Sequence, residues 1–227
     1  GPGGQVDAAD LDHEGAAALV SLDSKGRVTV YGGGPNGLDP ECRAELPPVS
    51  PLEEGAAAEE PAGVEYVQPT RALAKVISLS GNEYVFAPGP RSVRLVPVTA
   101  DRAFGQALVV PCPEALSVAA GDANGDGKPD LAFASRHKAG DMEQSWLYPG
   151  SDQGFAQERA VPLPSRNACD VAMGDLDGDG LDDIALCQDR TPESFTFHSL
   201  VYRGGSEGIV GEPTRLESHD ARRVLIC

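Results

Sequence analysis

Two stretches of this chain are near copies of each other. AAGDANGDGKPDLAFA runs from Ala119 to Ala134, and AMGDLDGDGLDDIALC runs from Ala172 to Cys187. Each places acidic or amide side chains at loop positions 1, 3, 5 and 9 and glycine at position 6, and the two first positions, Asp122 and Asp175, are 53 residues apart. Alternate residues of a tight turn converge on one point, and glycine permits the sharp bend at Gly127 and Gly180, with further freedom at Gly125 and Gly178. The pattern predicts a loop that wraps a calcium ion.

Calcium takes six to eight oxygen ligands at about 2.3–2.6 Å in a forgiving geometry. The first loop offers Asp122, Asn124, Asp126 and Asp130 with the backbone carbonyl of Lys128. The second offers Asp175, Asp177, Asp179 and Asp183 with the carbonyl of Leu181. Carboxylates packed ~4–6 Å apart repel by ~1–4 kcal/mol per pair, a cost that a divalent cation removes. Magnesium fits less well because it demands a strict octahedron and keeps its waters. Zinc is disfavoured because neither loop contains Cys or His. The alternative reading is an acidic, solvated turn with no ion.

The loop is not an EF-hand. That motif needs a bidentate Glu at position 12, on a following helix. Here position 12 is Phe133 or Leu186, inside the short apolar runs LAFA and IALC. Strand-like LSVAA and CDVAM precede the loops, so each loop joins two short strands.

The repeat extends further. LYPGSDQGF (Leu147 to Phe155), VYRGGSEGI (Val201 to Ile209) and VYGGGPNGL (Val30 to Leu38) share a Tyr six residues before a Gly. A fainter copy, YVFAPGPRSV, has Phe86 in the aromatic place, and the anchors Tyr31, Phe86, Tyr148 and Tyr202 are 55, 62 and 54 residues apart. Upstream of Tyr31 lies a decayed loop. Asp10, Asp12 and Glu14 hold positions 1, 3 and 5, but position 9 is Ala18, which cannot ligate. It is a weaker, third metal candidate. The second repeat keeps only a strand pattern.

The chain thus reads as all-β, with about four repeats at residues 5–40, 64–115, 116–168 and 169–227 in a single domain. Repeats of this length with several short strands are the mark of propeller blades. Small residues before the loops (Ala119, Ala120, Ala172) suit innermost strands near an axis. Arg222 to Cys227 resembles the start of another inner strand, which opens a fifth repeat or pairs with the N-terminal strand to close a ring. Residues 41–63 read as an acidic, Pro-rich surface insertion, because Glu41 to Glu65 hold seven acids, one base and four prolines.

Net charge is −17, which argues against nucleic acid, whose phosphates need a basic stripe. No apolar run approaches the ~18 residues of a membrane span. Five cysteines leave pairing open. Cys169 and Cys187 flank the second loop on adjacent strands, where either a disulfide or two buried thiols fit. Gly204 to Gly208 matches GxSxG, yet it aligns with the turns Gly33–Gly37 and Gly150–Gly154, so Ser206 reads as a turn residue. His13, His137, His198 and His219 are scattered without metal-hydrolase spacing. No catalytic residue is expected.

GDxDGDGxxDL followed by LYxGxxxG resembles the FG-GAP repeat of integrin α-chain propellers and the related VCBS repeats of secreted bacterial proteins. The resemblance is strongest in repeats three and four and weakest in repeat two, and Ala18 departs from it. It implies blades with structural calcium in a secreted, cell-surface or periplasmic recognition or adhesion module that binds a protein or glycan. Two alternatives stand beside it. One is an accessory propeller domain of a larger secreted enzyme. The other is a self-associating half-propeller, since seven-bladed relatives need more than four repeats and a homodimer would complete a ring.

Overall fold

The computed structural model describes residues 5–10, 17–23, 27–33, 37–46, 72–89, 91–98, 103–139, 142–189, 196–219 and 221–226. Among these the fold is all-β, in four antiparallel four-stranded sheets that resemble propeller blades. The first contains β1 (Gln5–Ala9), β2 (Ala18–Leu22), β3 (Val28–Gly32) and β4 (Asp39–Leu46). The second contains β5 (Val76–Leu79), β6 (Asn82–Pro88), β7 (Val93–Pro97) and β8 (Leu108–Val110). The third contains β9 (Ala115–Gly121), β10 (Asp130–Ala139), β11 (Met142–Tyr148) and β12 (Val161–Ser165). The fourth contains β13 (Ala168–Gly174), β14 (Asp183–Gln188), β15 (Thr196–Gly205) and β16 (Gly208–His219). In every sheet the spatial order follows the chain, so each is a simple meander.

The chain divides into two compact units, Gly1–Val76 with Asn82–Glu114, and Ile77–Gly81 with Ala115–Cys227. Burial patterns explain the strands of each. In β2 and β3 buried and half-buried residues alternate (Ala18, Val20 and Leu22; Val28 and Val30), the period-2 signature of a strand. In β14 all six residues are buried. Since neighbours on a strand point to opposite faces, such a run means that both faces are covered. That is why IALC is apolar without alternation.

The second unit has its core between the third and fourth sheets. Ala132, Ala134, Leu147 and Leu163 meet Val171, Ile184, Leu186, Leu200 and Tyr202 there. Phe133 packs edge-on against Tyr148, with centroids 5.6 Å apart, so the aromatic anchor of the repeat is a core residue.

One feature differs from the sequence reading. The stretch read as an insertion from residue 41 begins inside β4, which runs to Leu46. Arg43 and Glu45 are exposed while Ala44 and Leu46 are half-buried, a strand alternation hidden in a linker-like composition. Residues 47–71, the rest of that stretch, lie outside the described residues. The second repeat, read as keeping only a strand pattern, has no such loop. Its β5–β6 connection is the two-residue turn Ser80-Gly81, both at positive φ (51° and 79°), the geometry that two-residue hairpins favour.

The C-terminal residues 221–226 lie along β13. Val224 N–H donates to Asp170 Oδ2 at 3.0 Å, and a Cβ at Gly174 would meet Ile226 at 2.9 Å. β13 makes equivalent contacts on β9. Ser117 Oγ donates to Asp170 Oδ1 at 2.6 Å, and a Cβ at Gly121 would meet Met173 at 3.0 Å. Ile226 follows Met173 by the 53 residues that separate the two loops. The tail therefore sits where another inner strand would, and Leu225 is 79% exposed.

Candidate metal centre

Each loop is an eight-residue connection within one sheet. β9 and β10 pair at Gly121↔Asp130, and β13 and β14 pair at Gly174↔Asp183. β1 and β2 pair at Ala9↔Ala18, so the decayed loop keeps the same length. Asp10 directly follows β1, whereas Asp12 and Glu14 lie outside the described residues.

A ladder of side-chain acceptors folds both good loops. Asp122 Oδ1 accepts from Gly125 N–H at 2.8 Å and Asp126 N–H at 3.2 Å, and its Oδ2 accepts from Gly127 N–H at 2.9 Å. Asp175 accepts from Gly178 N–H at 2.7 Å and from Gly180 N–H at 2.9 Å. At position 3, Asn124 and Asp177 accept from Asp126 N–H (2.9 Å) and Asp179 N–H (3.2 Å). At position 5, Asp126 and Asp179 accept from Lys128 N–H (2.8 Å) and Leu181 N–H (2.9 Å). These are Asx turns in series, in which each side chain mimics a backbone turn. Gly125, Gly127, Gly178 and Gly180 all take positive φ, between 73° and 88°. The ladder thus aims positions 1, 3 and 5 at a common point. Carboxylate oxygens of Asp175, Asp177 and Asp179 lie within 4.8 Å of one another, and all three residues are exposed.

Position 9 behaves differently. Asp130 and Asp183 are 0% and 3% exposed, and Asp183 falls outside the convergent group of three. Asp130 Oδ2 accepts from Ala123 N–H at 3.1 Å and Oδ1 from Gly150 N–H at 2.8 Å. Asp183 Oδ2 accepts from Leu176 N–H at 3.2 Å and Oδ1 from Gly204 N–H at 2.9 Å. One carboxylate thus ties the start of the loop to the glycine turn after the third strand. Each oxygen keeps a second lone pair, so this tie is compatible with ligation.

Residues 122–186 match a family model described as FG-GAP-like repeat. Residues 122–186 carry an FG-GAP-like repeat. The match opens on Asp122, the first acid of one loop, and closes on Leu186 in the strand after the other. No curated protein matches the chain.

The two FG-GAP loops are stitched together by a residue that the motif does not include. Asp182 N–H donates to Asp122 O at 3.0 Å, and Asp182 Oδ2 accepts from Asp122 N–H at 2.7 Å. Gly205 N–H donates to Ala123 O at 2.9 Å. Its one sequence signal is a mismatch: Asp182 stands where the first loop has Pro129. Two cations border the loops. Arg203 pairs with Asp177, and Lys128 Nζ lies 3.0 Å from Asp152 Oδ1. The GxSxG-like stretch is the β15–β16 hairpin, with Gly205 paired to Gly208, as the shared-turn reading expects.

Burial pushes the Asp130 carboxyl above its usual range. The N–H groups of Gly150 and Ala123 oppose this, and the charges of Asp126 and Asp122 add to it. In metal-free protein the ionised Asp130 therefore lowers stability at neutral pH, a penalty relieved as pH falls through its raised pKa. A bound cation favours the ionised form instead. Calcium capture by the first loop is expected to release protons, and to weaken on acidification from above the ordinary carboxylate range. Calcium affinity measured against pH checks this, and an affinity flat down to pH ~4 contradicts it.

Proposed function

We propose that this protein is a non-catalytic, calcium-binding recognition module in which the metal is structural. The observation that carries the reading is the convergence of Asp175, Asp177 and Asp179 within 4.8 Å, on a loop whose turns are already set by its own side chains. The donor set fits calcium: it is all oxygen, rich in carboxylate, and exposed enough to admit an ion. When bound, the ion supplies positive charge that offsets the mutual repulsion of the acids. Asp175, Asp177 and Asp179 would hold it in the second loop, and Asp122, Asn124 and Asp126 in the first, with Asp183 and Asp130 bracing each from behind. In the second loop the ion would replace the guanidinium of Arg203 beside Asp177.

Sites of this kind suit the millimolar calcium outside cells, which favours a secreted, cell-surface or periplasmic location. The partner would be a protein or glycan bound by blade surfaces, with the loops serving as fasteners. Thermal unfolding tests the structural role. A ligand at 100-fold over its Kd adds about 2.7 kcal/mol per site. For a chain of this size, removing two ions should lower Tm by on the order of 10 °C. Equal melting in calcium and in EDTA would remove the proposal.

A further inference from the structure

The two strands that enter and leave the second FG-GAP loop carry a facing pair of cysteines that the metal chemistry does not use. β13 and β14 pair at Ala168↔Gln188 and then at Asp170↔Cys187, with the register shifting between. Cys169 is therefore the extra residue of a β-bulge, a device that re-aims a side chain out of the regular alternation. Here it turns Cys169 onto Cys187. Cys169 Sγ lies 3.5 Å from the Cys187 carbonyl oxygen and 3.4 Å from that of Ala221. Both thiols are free. We propose that Cys169 and Cys187 form a redox modification site, closing on exposure to a small-molecule disulfide into a cross-strand bond at the stem of the loop.

The two sulfurs are not equivalent. Cys169 is 8% exposed and Cys187 1%. The neighbouring Cys187 side chain holds the Cys169 thiol below its usual range, while Cys169 and burial push Cys187 up. Cys169 is therefore the attacking group, since the thiolate is the nucleophile and access decides which thiol reacts first. Its sulfur attacks one sulfur of the small disulfide and expels the other as a thiolate, leaving a mixed disulfide on Cys169. Cys187 then attacks Cys169 Sγ, giving up its proton, and the second small thiol departs. Two protein thiols are oxidised and one small disulfide is reduced to two thiols, which carry away both protons.

Cys112 supplies an internal control. It is 0% exposed, and burial pushes its thiol far up, so it should stay inert. The consequence of closure is a pinned loop. Linking β13 to β14 removes loop-closure entropy from the unfolded chain, and for a loop of this length Tm should rise by roughly 5–10 °C. Oxidation also removes the S–H that points at the Ala221 carbonyl.

The test uses pre-reduced native protein treated with oxidised glutathione, then denatured, alkylated and mapped by mass spectrometry without reduction. The expected result is a Cys169–Cys187 cross-linked peptide, with Cys112 alkylated. Cys187→Ser should instead trap a glutathione adduct on Cys169. Alkylation of both Cys169 and Cys187 in the treated wild type would overturn the proposal. So would a glutathione adduct that stays on wild-type Cys169 without resolving. Neither readout depends on calcium, so this site can fail while the metal reading stands, and the reverse.

Discussion

Gly204→Ala is expected to destabilise the protein by at least ~3 kcal/mol, lowering Tm by on the order of 6–12 °C. A Cβ there would lie 2.6 Å from the Asp182 carbonyl oxygen and 2.8 Å from that of Ala123. Both obstacles are backbone, and neither can retreat freely. Asp182 N–H is bonded to Asp122 O, and Ala123 O accepts from Gly205 N–H. Relief would mean parting the two acidic loops. The comparison is Gly208→Ala in the same hairpin. Gly208 has open space around it but a φ of 104°, so the change should cost only about 1 kcal/mol through backbone conformation. Chemical denaturation of the two variants measures the contrast. Equal losses would mean that Gly204 is a turn glycine like Gly208 and that the loops do not press together.

Asp183→Asn is expected to cost about 2–4 kcal/mol, and to do so in EDTA as well as in calcium. The carboxylate accepts Leu176 N–H on one oxygen and Gly204 N–H on the other. An amide of the same shape offers one oxygen and turns an NH2 toward the remaining N–H, leaving a donor facing a donor in a buried place. Asp179→Ala should behave in the opposite way. Asp179 is exposed and accepts only from Leu181 N–H among its described bonds. Without metal its loss should change stability by no more than ~0.5 kcal/mol, because surface substitutions away from buried features rarely do more. With calcium it should remove the ion's stabilisation of one loop. Parallel melts of both variants with and without chelator separate the roles. An Asp183→Asn penalty that vanishes in EDTA would make position 9 a ligand and nothing more.

That distinction shows where the sequence stopped speaking. The strands around the loops were legible, because LAFA and IALC are too short and too apolar for anything but buried strands. The bends were legible too, since glycine recurs where φ is positive. Position 9 was legible only as an acid at ligand spacing. Its bond to Gly150 or Gly204 depends on a turn two strands later, and nothing in local spacing announces it. Gly204 itself was read as a turn residue from its alignment with Gly33 and Gly150, yet what it provides is room for another backbone. Asp182 was invisible for the converse reason: it is absent from the matching place in the first loop, and a search for repeats discards whatever does not repeat. The strand character of Arg43 to Leu46 was hidden by prolines and acids that follow it. The facing of Cys169 and Cys187 depended on a bulge that shifts register by one residue, which periodicity cannot supply.

The proposed metal role requires that each of the two loops hold one calcium ion. Titration calorimetry of chelator-stripped protein tests this most directly, with the wild type, Asp126→Ala, Asp179→Ala and the double variant side by side. Two tightly bound calcium ions are expected in the wild type, one in each single variant and none in the double. Absence of binding by the wild type at millimolar calcium, or an unchanged stoichiometry in either single variant, would contradict it.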